Sequence, residues 1–139
     1  MTLPNEISVL ISSDASALNV AEQARELAKL LTFSEADQAK IAIAVQEIAR
    51  NIVIHAFKKG NVKLTPVREP KKIGIIVTAE DKGPGISNLD LALKGGWSTS
   101  GGFGEGLGAV KRMMDELEIY TKSGEGTKII AKKWKRYIS

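Results

Sequence analysis

The sequence predicts an α/β fold, a two-layer sandwich with helices on one face of a mixed, mainly antiparallel sheet. Three observations lead there. Two stretches between residues 15 and 56 repeat apolar residues at three- and four-residue spacing, as amphipathic helices do. Short segments on either side alternate with a period of two, as half-buried strands do. A third helical pattern and a closing hairpin follow one glycine-rich run, so helices and strands have comparable shares of the chain.

Each element has a local reason. "EISVLIS" alternates as a strand from Glu6 to Ser12. Asp14 is a good cap for a helix over Ala15–Leu31, with Leu18, Ala21, Leu27, Leu30 and Leu31 mostly on one face. "SEAD", Ser34 to Asp37, reads as a capping box opening a longer helix to about Ala56. Ile41, Val45, Ile48 and Ile52 mark its buried stripe. Residues 61–67 alternate, "EPKK" turns, and "IGIIVTAED" is a strand ending on Asp81. "LGAVKRMMDEL" is helical, and "EIYTKS", "GEGT" and "KIIAKKW" form a hairpin. No repeat or linker divides the chain, so residues 1–139 are expected to form one domain.

Composition excludes several functions. There is no cysteine and one histidine, so neither a disulfide scaffold nor a zinc site is expected. The amino terminus lacks the pattern of a signal peptide, and no apolar stretch approaches the roughly 20 residues of a membrane span. A cytoplasmic protein with no membrane partner is expected. The net charge of +4 owes much to "KKWKR" at 132–136 and to Lys71 and Lys72, read as a charged tail and a solvated surface. Nothing resembles a nucleic-acid-binding motif, so no nucleic acid is expected as partner.

Two constellations carry chemistry. Glu47 and Asn51 stand four residues apart on one helix and project from the same face. Such a pair can orient a nucleophile and hold a hydrated divalent cation, Asn supplying a neutral oxygen and Glu accepting a proton. It can equally be an ordinary exposed pair, with Arg50 as a solvated charge or salt-bridge partner. His55, one turn on, reads as a packing or hydrogen-bonding residue.

The second constellation is glycine-rich. Nine of the thirteen glycines fall between Asp81 and Leu117. Asp81 ends a strand and Gly83 and Gly85 follow, an acid able to accept from an exocyclic amine beside backbone on which a planar ring can lie. The dinucleotide fingerprint fails here, because Pro84 and "ISNLD" open no prompt helix. Gly104, Gly106 and Gly108 precede a helix whose first N–H groups can bind an anion. The intervening "ISNLDLALKGGWSTSGGF" reads as a hinged flap, in which Trp97 either packs the closed flap or anchors a partner.

In order, Glu47-x-x-x-Asn51, Asp81-x-Gly83-x-Gly85, Gly104-x-Gly106-x-Gly108 and Gly124-x-Gly126-Thr127 resemble the nucleotide-binding boxes of the GHKL superfamily, whose members share the Bergerat ATP-binding fold. No dimerisation helices or receiver domain accompany the boxes, which sets aside histidine kinases and topoisomerases. "GGWSTSGGFGEGLGAVKRMMDELEI" and "SGEGTKIIAKKW" are similar to the stressosome switch kinases, serine/threonine kinases of partner-switching modules.

The resemblance implies a role for each residue. Glu47 would be the general base and Asn51 the ligand of Mg²⁺ between the ATP phosphates. Asp81 would bind the adenine amino group, Gly83 and Gly85 would shape the base pocket, and Thr127 would complete it through a water. Gly104, Gly106 and Gly108 would hold the phosphates, with Lys94, Lys111 or backbone N–H groups of "STSGG" as the γ-phosphate clamp. Glu105 would point outward. ATP and Mg²⁺ would be the cofactors. The implied partners are STAS-domain antagonist and stressosome scaffold proteins as substrates, and a PP2C-type phosphatase activated by the released kinase. The alternatives are an anti-sigma factor kinase that sequesters a sigma factor, and a nucleotide-gated binding module without kinase activity.

Overall fold

The computed structural model describes residues 2–55, 59–83, 106–122 and 124–136. Strand β1 (Ile7–Ile11) leads into helices α1 (Asp14–Leu30) and α2 (Glu35–His55). Strands β2 (Gly60–Glu69) and β3 (Lys72–Asp81) follow. Helix α3 (Gly106–Met113) and strands β4 (Glu116–Lys122) and β5 (Gly126–Arg136) complete the described elements. The five strands form one sheet in the order β1-β2-β3-β5-β4, and every described pairing is antiparallel. The mixed, mainly antiparallel sheet of the sequence reading is therefore antiparallel throughout its described part.

Period-two alternation sorts the two faces. On β3, Ile73, Ile75, Val77 and Ala79 are buried, while Thr78 and Glu80 turn the other way. The buried set joins Val62, Leu64, Ile129 and Ala131 from its neighbours and the stripes of the helices in one core. Pro66 is tolerated in β2 because the β1 ladder stops at Leu64, opposite Ile7, so this stretch has one neighbouring strand.

The helices show what the sequence conveyed and what it hid. On α2, Ile41, Val45, Ile48 and Ile52 are all fully buried, as their spacing predicts. Ser34 accepts a hydrogen bond from the Asp37 N–H at 3.1 Å, as a cap should. On α1, two expectations are corrected. The cap is Ser13, not Asp14: Ser13 and Ser16 exchange hydrogen bonds in a reciprocal box, and Asp14 is left to favour the first turn by its charge. The buried stripe runs through Ala17, Val20, Ala21, Ala24, Leu27 and Ala28, whereas Leu18 and Leu30 are 49% and 65% exposed.

The third helix ends at Met113, short of the expected Leu117, because Glu116 and Leu117 pair with Lys132 and Ala131 as strand. The segment "KKWKR" is likewise no tail. It is the end of β5, and Lys133 points into the core side at 8% exposure. Its Nζ donates to the Met113 carbonyl at 2.9 Å and lies 3.8 and 3.7 Å from the carboxylates of Asp37 and Asp115. Lysine thus meets the negative end of α3 and ties it to the start of α2. Lys72 sits 3.9 Å over the Trp134 ring, so it too has a specific neighbour. Replacing Lys133 by Ala is expected to cost about 1–3 kcal/mol, since it leaves the Met113 carbonyl without its donor. Urea unfolding measures this; an unchanged midpoint would contradict it.

Candidate functional site

One end of the sheet concentrates the polar residues the sequence singled out. The rung there runs Ile11, Gly60, Asp81, Thr127, Thr121 across all five strands. Asp81 is the last residue of β3, and the Gly83 N–H turns back to its Oδ1 at 2.9 Å. Thr127 is 6% exposed, and its hydroxyl lies 3.0 Å from that of Thr121, which also donates to the Gly126 carbonyl at 3.3 Å. Whichever hydroxyl donates in that pair, Thr127 keeps a lone pair for a ligand or water. A cavity of about 880 Å³ opens at this end, and Asp81, Thr121, Gly126 and Thr127 are among its lining.

Burial pushes the Asp81 carboxyl above the usual aspartate range, and the backbone N–H groups of Gly83 and Thr127 pull it part of the way back. Because the folded-state value is raised, the contribution of this acid to stability is fully present below 3.8 and is lost as pH climbs through the raised value. Asp81→Asn is therefore expected to raise the thermal midpoint at neutral pH, by an amount that shrinks on acidification. A lower midpoint for the variant at pH 7 would contradict this. A carboxylate held at a stability cost is the pattern of a group kept for binding.

Glu47 and Asn51 stand on α2, not among the described residues lining the cavity. One contact brings their helix to it. A Cβ on Gly60 would fall 2.7 Å from Ile52 Cγ2 and 2.8 Å from the Glu80 carbonyl, so the turn after Asn51 presses against the strand paired to Asp81. Helix α2 also packs against α3. The Glu47 carboxylate lies 3.8 Å from Arg50, the salt-bridge alternative for that arginine, and its side chain is 20% exposed. Asn51 is half-buried. Among the described residues, no group of three or more His, Cys, Asp or Glu is gathered for a metal. A cation at Asn51 would draw most of its ligands from phosphate and water, which suits Mg²⁺.

Gly106 opens α3 with φ +33°, and a Cβ there would meet nothing within 4 Å among the described residues. Gly108 is buried in the same first turn, and Lys111 is exposed in the last. Gly85, Lys94, Trp97, Gly104, Glu105, the rest of the flap and the side chain of His55 lie outside the described residues. Sequence reasoning missed Gly60 and Thr121. A glycine opening a strand, and the symmetry of Thr121 and Thr127 about the "SGE" turn, were the available signals.

A one-sided helical layer on an antiparallel sheet, with an acid and a hairpin threonine at one sheet end, defines the α/β sandwich of the GHKL class. The family described as histidine kinase-like ATPase domain matches residues 11–133, and the chain belongs to it. The serine/threonine-protein kinase RsbT of Bacillus subtilis (strain 168) is 42% identical over 128 residues, which span 92% of this chain and 96% of that one. An anti-sigma F factor of Clostridium perfringens (strain SM101 / Type A) is 33% identical over 97 residues, 67% of this chain and 69% of the relative.

Among solved structures, the RsbU and RsbW domains of a Mycobacterium tuberculosis protein superpose with a TM-score of 0.66 at 18% identity. That match covers 98% of this chain and 35% of the other. The mycobacterial sensor histidine kinase MprB gives 0.55 at 16% identity, over 96% of this chain and all of its own. These two likenesses speak for the fold, and the family match over residues 11–133 bears out the class expected from the order of the boxes.

Proposed function

We propose that the chain, as one domain over residues 1–139, is a Mg²⁺- and ATP-dependent serine/threonine protein kinase of a partner-switching module. The observation that carries this reading is the meeting of Asp81 and Thr127 at a cavity-bearing sheet end against which the Glu47–Asn51 helix is pressed. The name of the 42%-identical relative supports the reaction class.

In this reading Asp81 accepts from the adenine amino group, Gly83 and Gly85 border the ring, and Thr127 adds a water-mediated contact. The N–H groups at Gly104, Gly106 and Gly108 face the phosphates at the start of α3, where the helix dipole favours anions. Lys94 or Lys111 supplies the cationic clamp. The Asn51 carboxamide oxygen would hold Mg²⁺, which when bound offsets the charge of the phosphates. Glu47 orients the acceptor hydroxyl and takes its proton. Arg50 stands 3.8 Å from the Glu47 carboxylate and weakly favours its position on the helix.

The proposed acceptors are STAS-domain antagonist and scaffold proteins, and the released kinase would activate a PP2C-type phosphatase. Among the described residues no helix is long and apolar enough to cross a membrane, and we place the protein in the cytoplasm. The test is transfer from labelled ATP, with Mg²⁺, to purified STAS-domain proteins of the same organism. Label on serine or threonine is expected. ATP binding without label would overturn the kinase and favour the binding-module alternative. Capture of a sigma factor would favour the second reading, which the 33%-identical anti-sigma F factor motivates.

A further inference from the structure

Helix α2 fills its inner face without Ile43. Ile41, Val45, Ile48 and Ile52 take every buried turn, and Ile43 stands 42% exposed on the other side. A single exposed isoleucine is ordinary. Its neighbours are not: Glu47 lies four residues on and Asn51 eight, so the three form one line along the helix. The spacing along the axis from Ile43 to Glu47 is about 6 Å. Arg50, 37% exposed and 3.8 Å from Glu47, stands on the far side of the acid.

We propose that Ile43 is the apolar seat for the acceptor protein, reading a hydrophobic side chain that lies about one helical turn from the accepting hydroxyl. The inference rests on the reading of Glu47 as base. A hydroxyl within about 3 Å of that carboxylate belongs to a folded surface, and such a surface extends over the next turn of the helix. Whatever protein presents its serine or threonine to Glu47 therefore covers Ile43. Continuity with the reacting position singles out the acceptor as occupant. A second copy of this chain seated there would cover Glu47 and exclude the acceptor. The contact discriminates acceptors at binding, since Ile43 touches neither the nucleotide nor the transferred group.

The experiment measures initial rates with a STAS-domain protein that the wild type phosphorylates, for wild type, Ile43→Leu, Ile43→Ala and Ile43→Asp. Truncation of an apolar anchor at an interface supports an increase of about 10-fold in KM for the acceptor in Ile43→Ala. Ile43→Asp is expected to exceed that, and Ile43→Leu to stay near the wild type. Affinity for a non-hydrolysable ATP analogue should be retained in all four, which separates docking from damage to the fold. An acceptor KM within twofold of wild type in Ile43→Asp would overturn the inference alone. Self-association of the wild type that Ile43→Asp abolishes would overturn it in favour of a second copy. Transfer by the wild type to no STAS-domain protein would overturn the kinase reading, and this inference with it.

Discussion

Glu47→Gln is expected to lower the rate of phosphotransfer by about 10²–10⁴, the usual contribution of a positioned general base. Affinity for ATP should be unchanged. The substitution keeps the shape of the side chain and removes the function proposed for it, the capacity to take the acceptor proton. It also removes the ion pair with Arg50 at 3.8 Å, but that pair is partly exposed and contributes about 1 kcal/mol or less. Stability and catalysis therefore separate: a near-normal melting curve should accompany a nearly dead enzyme. Single-turnover transfer at saturating ATP measures the chemical step. Wild-type rates in the variant would remove Glu47 from the reaction and leave acceptor docking as its role.

Gly126→Ala is the second large effect, and it acts through the backbone. Gly126 has φ +100°, and a Cβ there would overlap the Asp81 carbonyl oxygen, with the Lys82 Cα at 2.8 Å. Neither neighbour can yield, because Asp81 is in register with Thr127 and that register builds the sheet end. Backbone strain of roughly 1–3 kcal/mol adds to the steric conflict. A loss of about 3 kcal/mol or more follows, together with loss of ATP-analogue binding. Gly124→Ala is the internal control. Its φ of +79° is also left-handed, yet a Cβ meets nothing within 4 Å among the described residues. It should cost only about 1 kcal/mol. Equal effects at the two positions would mean that conformation alone, and not the approach to Asp81, sets the requirement for glycine.

The stripe of α2 was legible in the sequence because four aliphatic residues at helical spacing admit one arrangement, and all four are buried. Asp81 was legible because a strand ended on it. Leu18 and Leu30 misled, since the face that α1 buries is set by what lies opposite, and alanines at 17, 21, 24 and 28 allow close approach there. Ser13 and Asp14 are both good caps; Ser16, three residues after Ser13, decides between them by bonding back. Helix-favouring residues in "MDEL" concealed a strand that only pairing with β5 creates. Lys133 was hidden among like charges, because its partners Asp37 and Asp115 are distant in sequence.

At the site, order and type of residue were legible, and contacts were not. Nothing local ties Asn51 to Asp81. The tie is Gly60, whose missing side chain admits Ile52 beside the strand paired with Asp81.

We propose that the Asp81–Thr127 end of the sheet is the seat of the adenine ring. Calorimetric titration of non-hydrolysable ATP and GTP analogues into the wild type and Asp81→Asn tests it most directly. The wild type is expected to bind the ATP analogue and to prefer it strongly to the GTP analogue. In Asp81→Asn that binding should weaken about 10- to 100-fold, the value of a hydrogen bond to a charged group, with the preference gone. Equal affinity of wild type and variant for the ATP analogue would contradict the account and place the nucleotide elsewhere on the molecule.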